Sequence, residues 1–144
     1  PECSGTIAID ISYMKDGDFA GLSALQKKYG FVGVKMSGDT KSIVMVSVES
    51  DSPLEMQSVP LAKTQADVFL KIECDFKNRA DQAYFFYSLD GNNWADIGKP
   101  VQMAYTLPHF MGYRFALFNY ATKTAGGFVD FDYFRVGGKL SGAN

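Results

Sequence analysis

The chain has 144 residues and a formal net charge of −2, and its sequence is 47% hydrophobic, 21% charged and 15% aromatic. This length fits one domain, and the balance of apolar and charged residues is typical of a folded chain and excludes a disordered one. Because the sequence contains no basic stripe and no apolar stretch of about 20 residues, it argues against nucleic-acid binding and against a transmembrane helix.

Apolar residues alternate with polar ones along the first part of the chain, and this period of two predicts strands. The first predicted strand, Thr6–Tyr13, places its three isoleucines and its final tyrosine on one face. Phe19–Leu25, Tyr29–Met36 and Ser42–Val48 are the next predicted strands. The following segment, Glu49–Pro60, contains two prolines and several serines, so we expect it to be mostly loop.

The clearest predicted strand is Asp67–Phe76, in which apolar and charged residues alternate. The residues predicted to face inward are Val68, Leu70, Ile72, Cys74 and Phe76. Lys71, Glu73 and Asp75 are predicted to face outward. Cys3 and Cys74 are the only cysteines, and the apolar neighbours of Cys74 favour a buried thiol over a disulfide with Cys3.

The second half of the chain continues the strand pattern. Gln82–Leu89 is predicted to pair back as a hairpin, and the tip Asp90–Asn93 contains residues that favour tight turns. Trp94–Ile97 continues beyond the tip, and Tyr113–Ala121 and Phe128–Val136 are the last predicted strands.

About nine or ten short strands at such spacing predict an all-β fold, a two-sheet antiparallel β-sandwich of the jelly-roll type. We expect a single domain over residues 1–137 and a flexible tail over residues 138–144.

Four segments follow one another along the chain: GDFAGLSALQKKYGFVGVKM, VFLKIECDF, AYFFYSLDGNNW and GGFVDFDYFRV. In this order they resemble a known family, the C-terminal β-sandwich of glycoside hydrolase family 43 enzymes, which include β-xylosidases and α-L-arabinofuranosidases. The resemblance runs from Ser4 to Val136. Compared with the family pattern, Pro1 begins inside the domain, without the N-terminal strands, and the connection Gln102–Tyr113 is short.

The resemblance implies a concanavalin-A-like sandwich attached to a five-bladed propeller, which carries the catalytic carboxylates. In the family the sandwich packs on the propeller and sends one loop toward the active site, and some members are classed as xylan-binding modules. The implied partners of this chain are a catalytic propeller domain and xylan or arabinoxylan, with no nucleic acid and no membrane. The expected location is secreted or periplasmic, and no cofactor or metal is expected.

The candidate carbohydrate-contact residues are aromatic or able to donate hydrogen bonds. Tyr105, His109, Phe110 and Arg114 lie on or beside the one long loop with aromatic residues, where a ring could bind the apolar face of a sugar. Trp94 follows the hairpin tip and could also be a sugar platform. The alternatives are that Phe110 fills the edge of the sandwich, that His109 is an exposed loop residue, and that the tip is only a turn, with Asp90 accepting amide hydrogen bonds and Gly91 supplying a positive φ.

Two pairs of aspartates have a spacing that could support chemistry. Asp130 and Asp132 alternate along the last predicted strand, and Asp16 and Asp18 flank Gly17. We interpret the first pair as a solvated face and the second as a polar turn, because calcium needs six to eight oxygens and glycosidic carboxylates face each other across a cleft. The sequence therefore predicts no catalytic residues in this chain.

Three functions remain open at this point. The first is a non-catalytic accessory domain of a xylan-degrading glycosidase, which would need a large apolar patch for docking. The second is an autonomous xylan- or arabinoxylan-binding module, which the aromatic content favours. The third is an independent lectin-like or cell-surface interaction domain.

Overall fold

A computed structural model of the chain describes residues 2–25, 29–49, 52–75, 82–102, 114–123 and 126–137. In chain order its strands are β1 (Glu2–Asp10), β2 (Asp18–Leu25), β3 (Tyr29–Ser37), β4 (Thr40–Glu49), β5 (Ser52–Pro60), β6 (Asp67–Asp75), β7 (Gln82–Ser88), β8 (Ala95–Asp96), β9 (Val101–Gln102), β10 (Arg114–Ala121) and β11 (Asp130–Gly137). Within these ranges no helix forms that is long and apolar enough to cross a membrane.

The strands form two antiparallel sheets, as the sequence predicts. The six-stranded sheet has the order β11-β1-β6-β7-β8, and β9 also pairs with β7. The five-stranded sheet has the order β10-β2-β3-β4-β5. Because β2 and β3 of one sheet contact β6 and β7 of the other, the two sheets stack face to face as a sandwich.

One apolar core fills the space between the sheets. Its buried residues come from alternate positions of strands such as β1, β2, β3, β4 and β6, so each of these strands gives one face to the core. The core side chains with no exposed surface include Ile7, Ile9, Leu22, Val32, Val34, Ile43, Met45, Val68, Leu70, Ile72 and Cys74. The predicted inward positions are therefore confirmed for the four residues of β6, and Phe76 lies outside the described residues. In the β1–β6 ladder, Cys3 is the register partner of Cys74.

The first strand ends earlier than the alternation predicts. The backbone amide of Ser12 donates to Asp10 Oδ1 at 2.9 Å, and this local turn replaces the next ladder bond. Ile11 is still fully buried, but Tyr13 is 55% exposed and its ring stacks on Phe128 with centroids 4.5 Å apart. The prediction that Tyr13 shares a face with the three isoleucines is therefore wrong.

The segment predicted to be mostly loop contains β5, so that prediction is also wrong. β5 lies at the end of the five-stranded sheet, paired with β4, and the ladder contains an irregularity between Met45 and Val46. Proline is tolerated on an edge strand because one side of the strand has no ladder to donate to. Pro53 and Pro60 thus mark an edge and do not interrupt the strand.

The hairpin tip after β7 is organised by one carboxylate. Asp90 Oδ1 accepts the backbone amides of Asn92 and Asn93, each at 2.8 Å, and Gly91 has a φ of +83°. These amide donors stabilise the ionised carboxyl, so they hold the pKa of Asp90 well below its usual range. The turn geometry matches the structural interpretation of this motif.

Replacement of Asp90 by Ala should lower the thermal unfolding midpoint at neutral pH, because two turn amides lose their acceptor. Since the pKa of Asp90 is lowered in the folded state, its contribution is complete above the ordinary Asp value of about 3.9 and declines as pH falls toward the folded-state pKa. The difference in midpoint between Asp90→Ala and the native chain should therefore shrink below pH 4. A pH-independent difference in calorimetry would contradict this, and Asp90→Asn, which keeps an acceptor oxygen, is the matched control.

A second stability test concerns Gly127, which lies against the buried carboxylate of Asp18. Asp18 is 2% exposed, its Oδ2 accepts the Lys15 amide at 2.8 Å, and a Cβ on Gly127 would overlap Oδ2. Gly127→Ala should cost about 1–3 kcal/mol in the free energy of unfolding, as overpacking does. In a double-mutant cycle by urea denaturation, the cost should fall when Asp18 is replaced by Ala, and strict additivity would show that the overlap is not its cause.

Candidate functional site

The structure describes only part of the predicted contact set. Tyr105, His109 and Phe110 lie outside the described residues, and Arg114 is the first residue of β10, paired with Leu25. Trp94 is described, between the Asp90 turn and β8. The structure therefore shows the surroundings of Trp94, which precedes β8 of the six-stranded sheet, and it places Arg114 on β10 of the five-stranded sheet.

Trp94 covers a lysine on the outer face of the six-stranded sheet. Lys71 Nζ lies 4.1 Å from the centroid of the Trp94 ring and 5.1 Å from that of Phe86. Phe86 is the register partner of Lys71 on β7, and it therefore faces the same side of the sheet. A desolvated ammonium over aromatic rings is a favourable cation–π arrangement, worth about 2 kcal/mol or more.

Lys71 forms an ion pair with Glu73 in this outer layer. The Lys71 Nζ and Glu73 Oε1 atoms are 3.4 Å apart, and the two residues are only 5% and 3% exposed. The outward direction predicted for both is correct, but they are buried beneath neighbouring side chains because β6 lies in the interior of the sheet. Burial of two charges carries a desolvation cost, so this pair is weak evidence of a purely stabilising role.

The same surface contains a depression that we call the Trp94 groove. It has a volume of ≈ 510 Å³, within the range of about 300–1,000 Å³ that is usual for small-molecule sites. The side chains that matter for its chemistry are Lys71, Tyr84, Phe86, Trp94, Asp96 and Lys99. It therefore combines aromatic walls with both signs of charge.

A second depression of ≈ 450 Å³ adjoins the Trp94 groove. The two share Lys99 and Pro100, and the second extends to Leu54 and Met56 on the edge strand β5. The sequence analysis named Trp94 as a candidate but did not predict either depression. The signal that could have revealed the Trp94 groove is the pairing of β6 with β7, which aligns Lys71 with Phe86 and Glu73 with Tyr84.

The outer face of the five-stranded sheet has a different character. Four rings, those of Phe19, Phe31, Phe118 and Tyr120, pack together there, with centroid separations such as 5.2 Å for Phe31–Phe118 and 5.6 Å for Phe19–Tyr120. Phe19 and Phe31 rest on three buried valines of β4, which are Val44, Val46 and Val48. We call this surface the aromatic face.

Glycine allows the rings of the aromatic face to lie close to the sheet. Gly33 of β3 is the register partner of Gly21 on β2, and a Cβ at Gly33 would lie 2.8 Å from a carbon of the Phe19 ring. The rings of Phe19 and Phe118 thus occupy the space that a side chain would fill at Gly33, whereas a Cβ at Gly21 would meet the backbone of β3. The sequence contains a signal for this surface. Phe19 lies two positions before Gly21, and Phe31 lies two positions before Gly33, so each ring and its glycine share one face of the sheet.

The aspartate pairs form no facing catalytic or metal-binding set within the described segments. Asp130 and Asp132 are exposed, and the ladder with β1 shifts register between Ala8 and Ile9, opposite Asp132. Asp16 accepts the Gly38 amide at 2.8 Å, and a hydrogen bond from this amide lowers the pKa of Asp16. Among the described residues no three Asp, Glu, His or Cys side chains are grouped so that they could hold a metal ion.

Comparison with known proteins adds independent information. The sequence model described as "Beta xylosidase C-terminal Concanavalin A-like domain" matches residues 1–137. A β-xylosidase of Formosa agariphila is 26% identical over 125 residues, which are 87% of this chain and 19% of that protein.

Two solved structures have a closely similar fold. A bifunctional GH43-CE protein of Bacteroides eggerthii has a TM-score of 0.89 and 57% identity, over 98% of this chain and 18% of its own. The second is a GH43 glycoside hydrolase with an active site engineered to give both endo-xylanase and exo-arabinofuranosidase activity. It has a TM-score of 0.86 and 28% identity, over 97% of this chain and 30% of its own.

The chain thus spans less than a third of the length of each of these relatives. Three findings indicate the same family: the matched fold, the extent of the family match and the identity to GH43 proteins. The chain belongs to the family of β-xylosidase C-terminal concanavalin A-like domains, the β-sandwich found in GH43 glycoside hydrolases.

Proposed function

We propose that this chain is a non-catalytic accessory domain of a secreted or periplasmic, xylan-degrading GH43 glycoside hydrolase, and that it supports the catalytic propeller by packing against it. Family membership and the small share of each relative that the chain covers support this proposal. The observation that carries it is the aromatic face, because an apolar surface on the side of a sheet that points away from its own core is suited to a protein partner.

The composition of the aromatic face favours a protein–protein interface. Interface centres are enriched in aromatic residues and depleted of charge. The ring of Tyr120, which is 48% exposed, stacks on Phe19, and Phe19 also contacts Phe31 and Phe118. An ion pair between Lys35 of β3 and Glu55 of β5, at 2.7 Å, spans the intervening strand β4 of the same sheet, where it could serve as part of a polar rim.

Contact with xylan or arabinoxylan is a second, separable part of the proposal. The feature that favours it is the Trp94 groove, which lies on the other sheet from the aromatic face. An accessory domain could therefore pack on the catalytic domain through one sheet and leave the other sheet open to polysaccharide.

The docking proposal predicts that a charge in the aromatic face weakens the whole enzyme. In the full-length glycosidase that contains this chain, Tyr120→Asp should lower the inactivation midpoint of xylosidase or arabinofuranosidase activity by several degrees. The physical reason is that a carboxylate would be desolvated in the interface, and each kcal/mol lost shifts the midpoint by about 2–4 °C in domains of 150–250 residues.

Tyr13→Asp is the matched control, because Tyr13 is a comparably exposed tyrosine, stacked on Phe128 outside the aromatic face. It should leave the inactivation midpoint unchanged. If both substitutions act equally, or if neither shifts the midpoint of an enzyme whose domains are folded by circular dichroism, docking through this face is wrong.

A further inference from the structure

We infer that the Trp94 groove is a binding site for a neutral, extended polysaccharide chain, with Trp94 as the stacking platform and the exposed side chains of Asp96 and Lys99 as hydrogen-bond partners. The inference deepens the proposed function by giving substrate contact a place on the outer face of the six-stranded sheet. It rests on that function only for the choice of a xylan-type polymer as the probe.

The charges around the groove balance one another. Lys71 and Lys99 line it together with Asp96, and Glu73 is paired with Lys71 at 3.4 Å. Two cations and two carboxylates give no net field to attract a phosphate, a metal ion or a polyanion. Lys71 and Glu73 are buried, so the exposed Asp96 and Lys99 supply the acceptors and donors that the hydroxyl groups of a sugar can use.

The aromatic side chains add the second requirement for sugar recognition. Trp94, Tyr84 and Phe86 line one depression, and each is only partly buried, so ring surface remains accessible. Lys71 Nζ sits 4.1 Å from the Trp94 ring centroid and helps to fix the ring's position. A flat apolar ring beside fixed polar groups matches a pyranose, which has an apolar face and a hydroxyl edge.

The shape of the surface favours a polymer over a single small molecule. The Trp94 groove continues past Lys99 and Pro100 into the second depression, which ends near Leu54 on β5. A chain of sugar rings could follow this track from one depression to the next. Such a ligand gains affinity from several modest contacts along its length, as multivalent ligands do.

The chain contains one tryptophan, so its indole fluorescence reports on this groove alone. Titration of the 144-residue chain with xylohexaose should change the Trp94 emission in a saturable way, and affinity electrophoresis in arabinoxylan should retard the chain. Polygalacturonate, a polyanion similar in size to the xylan probe, should cause neither the emission change nor the retardation, because the groove has no net charge.

Substitutions separate this site from the aromatic face. Trp94→Ala should weaken retardation by about tenfold or more, as loss of an aromatic hot spot does, and Trp94→Phe should recover part of it. Asp96→Asn, which keeps the side-chain shape, should weaken it less. Tyr120→Ala is the control on the other sheet and should bind like the native chain. Circular dichroism and the unfolding midpoint would establish that each variant is folded.

The inference is overturned if the folded native chain shows no retardation and no emission change with either xylan probe. It is also overturned if a folded Trp94→Ala variant binds like the native chain, or if polygalacturonate binds as well as arabinoxylan. Because the experiment needs no catalytic domain, its failure would leave the docking proposal standing, and the failure of docking would leave this inference standing.

Discussion

The structure depends on the burial of one apolar layer between two sheets. Ile7 and Ile9 of β1 and Leu70 and Ile72 of β6 have no exposed surface, and β2 and β3 pack across from β6 and β7. Each such side chain contributes about 1.5–3 kcal/mol relative to an exposed position. Side chains alternate along a strand, so burial of one face in this layer fixes the register of the strand. The side chains of the other face point away from the core and can contact something else.

The two outer faces have diverged chemically. On the five-stranded sheet, Gly33 leaves room for phenylalanine rings, two of which pack on the valines of β4, and this makes an apolar surface suited to another protein. On the six-stranded sheet, Trp94 and Phe86 cover a buried lysine and lie beside the exposed Asp96 and Lys99, which makes a mixed surface suited to a hydroxylated ligand. A single sandwich can thus present two kinds of recognition without altering its core.

The sequence predicts the fold because alternation is a local signal. The sandwich, the inward positions of β6 and the Asp90 turn follow from residues close together in the chain. Two predictions were wrong for local reasons. The position of Tyr13 was wrong because the Ser12 amide donates to Asp10 and β1 ends there. The loop predicted over Glu49–Pro60 was wrong because β5 lies at a sheet edge, where prolines are tolerated. The Trp94 groove was only partly predictable. Alternation along β6 predicts that the Lys71 side chain points away from the core, but the burial of Lys71 depends on which strands pair beside β6. The contact loop predicted around His109 lies outside the described residues, so its role remains a prediction.

The pairing of β1 with β11 has a mechanical consequence. The two strands are antiparallel and Ser4 lies opposite Gly137, so β1 starts beside the point where β11 ends. Their hydrogen bonds run perpendicular to the strands. Tension applied between these two positions would therefore open the ladder one bond pair at a time and would not load all its bonds in parallel shear. Under traction between Ser4 and Gly137, the hydrogen bonds between β1 and β11 would break in sequence and β11 would peel from the sheet edge. β1 would still be held along its opposite side by β6.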